Sequence, residues 1–243
     1  MKKLIAILSL ALLPLTGFAA GGNVALESAD IDLTDHASLQ RGAKYFVNYC
    51  QGCHSLQYFR YERMQDFGLS KEQIENNLIF GGHKIGEQMK TSMPALDAAE
   101  WFGTAPPDLT LTARLRKGGA DWIYTYLKGF YADESRPFGV NNVVFPNVGM
   151  PHVLMELQGV QEATIETDAH GNKHVAALKL AKPGRMSVEE YDQMARDLSA
   201  FMTHVAEPNK LERQRLGIWV MLFLLVFFVV AIMLKKEFWK DVH

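Results

Sequence analysis

Cysteine is nearly absent from this chain: there are two in 243 residues, Cys50 and Cys53. A structural zinc site takes four Cys or His ligands. With no third Cys, zinc would need His or carboxylate ligands from elsewhere in the chain. An excess of basic charge is absent too, the formal net charge being −2. Residues 21–209 carry 17 Lys and Arg against 24 Asp and Glu, a balance of −7, because basic residues gather at the two ends. Such a region repels nucleic acid and suits a basic partner. Long apolar runs are confined to the ends, at Leu4–Leu15 and Leu216–Leu234.

What the chain does have is Cys50-Gln51-Gly52-Cys53-His54. This is the C-x-x-C-H pattern of covalent c-type haem attachment. Two thiols at this spacing add across the two vinyl groups of one porphyrin. The His directly after the second thioether is held under the iron as an axial ligand. A thioredoxin-like C-x-x-C belongs near a βαβ pattern, whereas the flanks here read as helical. A plain disulfide in an exported protein gives no reason for His54. The motif predicts one haem c, attached at Cys50 and Cys53.

The N-terminus reads as a secretory signal peptide: Met1-Lys2-Lys3, a short apolar core, then Gly17-Phe18-Ala19. Cleavage after Ala19 is favoured over Ala20, because it puts small residues at both key positions. The 19 uncharged residues Leu216–Leu234 would extend roughly 28 Å as a helix, close to the ~30 Å of a bilayer's hydrocarbon core. Basic residues flank them (Arg213 and Arg215; Lys235, Lys236 and Lys240), with Trp219 and Trp239 near the two interfaces. The expected organisation is a cleaved leader at 1–19, a periplasmic haem domain at 20–209, a membrane anchor at 210–236 and a cytoplasmic tail at 237–243. The protein would sit in the bacterial cytoplasmic membrane with a single pass.

Within the exported region, Thr34 or Asp35 reads as the N-cap of a helix leading to Cys50. In it, Gly42 near Phe46 allows another helix to approach closely. The segment from Ser55 to Gly68 also reads as helical, with Tyr58, Phe59, Tyr61 and Phe67 suited either to wall a porphyrin or to pack a core. His83 stands in a loop as a possible iron ligand. Ala105-Pro106-Pro107-Asp108 fixes an extended entry. A helix then starts near Asp108 or Thr110, carries Arg114 and Arg116, and stops at Gly118-Gly119. Either arginine could pair with a buried haem propionate. A second helix runs from Asp121 to Phe130. Met150-Pro151 and Met93-Pro94 both present a thioether, a soft iron ligand, in a loop. Residues 159–182 alternate apolar and polar around His170-Gly171-Asn172, as a β-hairpin does. Ser187-Val188-Glu189-Glu190 is a capping box opening a helix to about Val205.

The segments RGAKYFVNYCQGCHSLQYFRY (41–61), APPDLTLTARLRKGG (105–119), VVFPNVGMP (143–151) and SAFMTHVAEPNKLERQRLGIWVMLF (199–223) resemble the cytochrome c1 family. That family supplies the haem c subunit of the cytochrome bc1 complex, ubiquinol–cytochrome c reductase. The resemblance implies a mainly α, cytochrome c-like haem domain with loop and β-hairpin insertions, plus one C-terminal transmembrane helix. It implies Cys50 and Cys53 as thioether sites, His54 as proximal ligand and Met150, not Met93, as sixth ligand. Arg116 would contact a propionate. Pro107 and Trp122 would line the haem pocket, Trp122 at a position where the family often has Tyr. The implied partners are cytochrome b, the Rieske iron–sulfur protein as electron donor and a periplasmic cytochrome c as acceptor. The chain would be a non-catalytic electron-transfer subunit of an enzyme complex. The competing functions are a membrane-anchored monohaem cytochrome serving another oxidase and a tethered thiol-disulfide oxidoreductase.

Overall fold

The structure is a computed structural model that describes residues 24–167, 171 and 173–241. The expected leader at 1–19 and the turn residues His170 and Asn172 lie outside these residues. In chain order the elements are α1 (His36–Tyr45), a π-helical turn (Phe46–Cys50), β1 (Leu56–Arg60), a 3-10 turn (Tyr61–Phe67) and α2 (Lys71–Asn77). Next come β2 (Gln88–Met89), α3 (Ala95–Phe102), α4 (Thr112–Leu115), α5 (Gly119–Lys128), β3 (Phe130–Ala132) and β4 (Val140–Asn142). The chain continues through α6 (Met155–Gln158), β5 (Gly159–Thr167), β6 (Lys173–Pro183), α7 (Val188–Ala206) and α8 (Lys210–Phe238). The strands form three antiparallel pairs, β1–β2, β3–β4 and β5–β6. The result is a helical fold with small sheets, as expected.

The core is the crossing of α1 and α7. Asp35 caps α1, its side chain accepting from the Ser38 amide at 3.1 Å, which satisfies one of the amides a helix start leaves unpaired. Ser187 and Glu190 complete a capping box at the start of α7. At the crossing, a Cβ on Gly42 would lie 2.6 Å from the Phe201 Cβ and 2.8 Å from the Asp197 carbonyl carbon, with the carbonyl oxygen closer still. Only glycine lets the two backbones come this near. Beside it, Asp197 is 1 % exposed and fully engaged. Arg41 reaches it from Nε at 2.6 Å and Nη2 at 2.9 Å, and the Ser38 hydroxyl donates at 2.7 Å. A buried carboxylate without such partners would cost several kcal/mol.

Two expectations are corrected. The segment after His54 is not one helix: Leu56–Arg60 is a strand and only Tyr61–Phe67 is helical, as a 3-10 turn. Its amides are claimed from outside, Gln57 N donating to Asp108 Oδ2 at 2.7 Å and Tyr58 N to Thr110 Oγ1 at 3.4 Å. These contacts override local helix propensity. Its aromatics pack the core: Phe59 and Phe67 lie 6.2 and 6.1 Å from the Phe201 ring, while Tyr58 is 68 % exposed. Second, the helix expected to carry both arginines is the single turn α4. Arg116 lies just past its end with extended backbone (φ −73°, ψ 132°). The following helix, α5, starts two residues earlier than expected, at Gly119, with Gly118 in the left-handed region at φ +93°.

The hairpin β5–β6 spans the expected residues. The helix α8 is 29 residues long, and its mean hydropathy reaches 3.0 with that stretch wholly unburied. It is long and apolar enough to cross a membrane. Between α7 and α8 stands Glu207-Pro208-Asn209, and Glu207 is gripped by Arg114 at 3.4 Å and Arg213 at 2.9 Å.

At the far end of α7 a polar network ties α5 and the N-terminal segment together. Lys128 reaches Asp192 at 2.7 Å and Glu27 at 2.5 Å, Arg196 reaches Asp192 at 3.0 Å, and the Tyr124 hydroxyl also donates to Asp192. Burial alone would raise the Asp192 carboxyl, but the hydrogen bonds from Lys128, Tyr124 and Arg196 bring it down from 3.8 to about 2.

Two outcomes are expected. Gly42→Ala gains about 1 kcal/mol of helix propensity but overpacks a backbone crossing, so stability falls by about 2 kcal/mol and Tm by about 4–8 °C. A Tm at or above wild type would contradict the crossing. For Asp192, a depressed folded pKa contributes stability that is full above the ordinary carboxylate value and lost as pH falls towards 2. The Tm advantage of wild type over Asp192→Asn should therefore be present at pH 6 and disappear between about pH 4 and 2; an advantage unchanged across that window would refute the tie.

Candidate functional site

The rigid α1 ends in the π-helical turn that delivers Cys50. The chain then doubles back: the Cys50 carbonyl accepts from Cys53 N at 3.0 Å and His54 N at 2.8 Å. This brings both sulfurs and the imidazole onto one compact turn. The turn is pinned from outside, Thr91 Oγ1 donating to the Gly52 carbonyl at 2.8 Å and Thr91 N to Ser55 Oγ at 3.0 Å. Gln51 hydrogen-bonds the Tyr61 hydroxyl. Both cysteines are free thiols. Burial, with a smaller contribution from Cys53, pushes the Cys50 thiol up to about 12.

His54 is 8 % exposed. Its Nδ1 lies 2.8 Å from the Pro107 carbonyl oxygen. A carbonyl can only accept, so Nδ1 carries the proton and Nε2 is left with a bare lone pair. Burial lowers the imidazole pKa, and the Pro107 hydrogen bond and the Asp108 charge oppose it only in part. The ring is neutral and available as a ligand. Pro107 acts here through its backbone, and its own side chain is exposed. Leu109 N donates to the Ser55 carbonyl at 2.9 Å, which aligns the Pro107 segment along the motif.

A second group of residues forms on α5 and the loop after β4. The Arg116 guanidinium sits 4.7 Å from the Trp122 ring centroid and 5.4 Å from that of Phe145. Trp122 stacks on Tyr126 one helical turn on, 5.0 Å apart and 14° from parallel. The Tyr126 hydroxyl donates to Met150 Sδ at 3.3 Å. Tyr126 also meets Phe130 edge-on at 5.2 Å, and Phe130 stacks on His152 at 4.6 Å. The Met150 loop is held by two buried amides. Asn142 Oδ1 accepts from Val144 N at 2.9 Å and Phe145 N at 3.2 Å, and Asn141 Oδ1 accepts from Asn147 N at 2.8 Å.

The expected site residues thus fall into two groups, Cys50–Cys53–His54–Pro107 and Arg116–Trp122–Met150. The strand of chain from Pro107 through α4 to Arg116 joins them. Two of the alternative candidates have engaged side chains. Arg114 pairs with Glu207, and His83 Nδ1 is 2.9 Å from Glu87 Oε2 on the surface. Met93 is half-buried, its amide donating to Thr91 Oγ1 at 3.1 Å. Tyr126, Asn141 and Asn142 were not singled out by sequence. The i, i+4 spacing of Trp122 and Tyr126 on a helix, and two adjacent Asn inside an apolar stretch, were the available signals.

The donor set fits one c-type haem. It offers two unpaired thiols, a neutral imidazole with its tautomer set by a carbonyl, a thioether, and an arginine with no carboxylate partner among the described residues. Among the described residues no group of three or more His, Cys, Asp or Glu side chains is placed to hold a metal ion.

Fold and donors together suit the class of c-type cytochromes, with one helix long and apolar enough to cross a membrane. The Cytochrome C1 family matches residues 28–242. The "Cytochrome c1" of Allochromatium vinosum is 53% identical over 246 residues, covering 100% of both chains. The "Ammonia monooxygenase gamma subunit" of Nitrosomonas europaea is 44% identical over 98% of this chain and 97% of that one. The "Cytochrome b/c1" of Bradyrhizobium diazoefficiens is 26% identical over 86% of this chain and 34% of that one. The chain belongs to the cytochrome c1 family.

Proposed function

We propose that this chain is the electron-transfer subunit of a bc1-type quinol–cytochrome c oxidoreductase, taking electrons from a Rieske iron–sulfur protein and passing them to a periplasmic cytochrome c. The observation that carries the reading is His54, buried directly after two free thiols with Nδ1 bonded to the Pro107 carbonyl. When bound, haem c supplies one-electron exchange between ferric and ferrous iron. Cys50 and Cys53 would anchor it, and His54 Nε2 and Met150 Sδ would be the protein atoms that hold its iron. Arg116, 4.7 Å from the Trp122 ring centroid and with no carboxylate partner among the described residues, suits a propionate better than Arg114, which Glu207 occupies. Pro107 fixes the His54 ring through its carbonyl, and Trp122 forms a wall.

Held by both residues, a haem would have no open coordination position, which would suit electron transfer better than oxygen activation; one relative carries the name of a monooxygenase subunit. A thiol-disulfide oxidoreductase needs a thiolate near neutral pH, and the raised Cys50 thiol runs against that. The helix α8 is the anchor, beside cytochrome b. With a leader at 1–19, residues 20–209 lie in the periplasm and the short tail after 236 in the cytoplasm. The net acidic domain suits a basic electron acceptor.

A haem stain on a denaturing gel should light the band of this chain, and detergent-solubilised protein should bring down haem b and an iron–sulfur protein. An unstained band would refute covalent attachment, and haem c purifying without haem b would refute the bc1 assignment. Met150→Leu should keep the haem attached, lower its potential and perturb the low-spin spectrum, whereas Met93→Leu should leave both unchanged. The opposite pattern would move the sixth ligand to Met93.

A further inference from the structure

Tyr126 holds the Met150 loop at two points. Its hydroxyl donates to Met150 Sδ at 3.3 Å. Its backbone carbonyl accepts from Asn142 Nδ2 at 2.8 Å, and Asn142 Oδ1 is the acceptor that gathers Val144 N and Phe145 N at the root of the same loop. The ring between these two ends is clamped. Trp122 stacks on one face, and Phe130 meets it edge-on at 73°. The hydroxyl has no other hydrogen-bond partner among the described residues.

We propose that Tyr126 is a positioning residue for the Met150 thioether, its hydroxyl setting how strongly Met150 Sδ donates to iron. The inference rests on Met150 being the sixth ligand. A thioether sulfur has two lone pairs. One can face the metal while the other accepts the phenol proton. A hydrogen bond to a ligand atom withdraws electron density from it, and such outer contacts tune metal potentials. Ferric iron, the more positive state, loses more from a weakened donor than ferrous iron does. The Tyr126 hydroxyl therefore favours the reduced haem and raises its potential. Phenylalanine at the same place would fill the same volume between Trp122 and Phe130 but leave the sulfur a stronger donor.

The test compares Tyr126→Phe with wild type in the full-length, membrane-derived protein, with haem content matched. At a fixed ambient potential the ratio of reduced to oxidised haem should fall roughly two- to tenfold, the range expected for one hydrogen bond. The low-spin spectrum and the ring-current-shifted Met150 methyl resonance of the reduced protein should persist. Imidazole should displace Met150 from the ferric haem less readily than in wild type. If the ring only fills space, Tyr126→Phe leaves the potential and imidazole affinity at wild-type values, and the inference fails alone. If Met150→Leu also leaves the spectrum and potential at wild-type values, the ligand reading fails and the inference with it. A Tyr126→Phe protein that loses the Met150 resonance, with imidazole binding more readily, would overturn the donor-strength argument.

Discussion

The close approach of two backbones at Gly42 is the constraint on which the rest of the structure depends. It lets α1 and α7 share a core in which Phe46, Phe59 and Phe67 all converge on Phe201. It also brings Asp197 within reach of Arg41 and Ser38, so that a buried charge is neutralised at the crossing. Because α1 cannot rotate or slide against α7, its C-terminal end is a fixed platform. The motif turn inherits that rigidity, and so does the His54 ring, with Pro107 as its second support.

The two groups of site residues are organised on different physical terms. Around Cys50 and His54 the positions are set by backbone hydrogen bonds, from the Cys50 carbonyl to Thr91 and Pro107. Around Met150 they are set by stacked rings and by buried asparagine amides. Backbone geometry gives the first group a precise tautomer and direction. In the second group the loop is held at its root by asparagine amides and at its sulfur by the Tyr126 hydroxyl.

Much of this was legible in the sequence because it depended on local pattern. The capping box at Ser187, the helix it opens, the hairpin at 159–182, the apolar run in α8 and the glycine at the crossing all follow from spacing within one element. The strand at Leu56–Arg60 was not legible, because its amides are satisfied by Asp108 and Thr110, some fifty positions later, and no local pattern records such a partner. Arg116 was misplaced for a similar reason: α4 stops after one turn, and the turn at Gly118 then directs the arginine onto Trp122. Pro107 could be found from its resemblance, but not its action, because a carbonyl oxygen is common to every residue. Tyr126 was visible only as a member of a helix face, since its partner sulfur lies 24 positions away.

The joint between α7 and α8 is only Glu207-Pro208-Asn209, and Glu207 is cross-braced to Arg114 on one side and Arg213 on the other. A long flexible linker would give the domain a roaming radius that grows with the square root of its length. A three-residue joint with Glu207 tied to both sides gives it little. The domain stands on α8 as a post rather than a swinging arm.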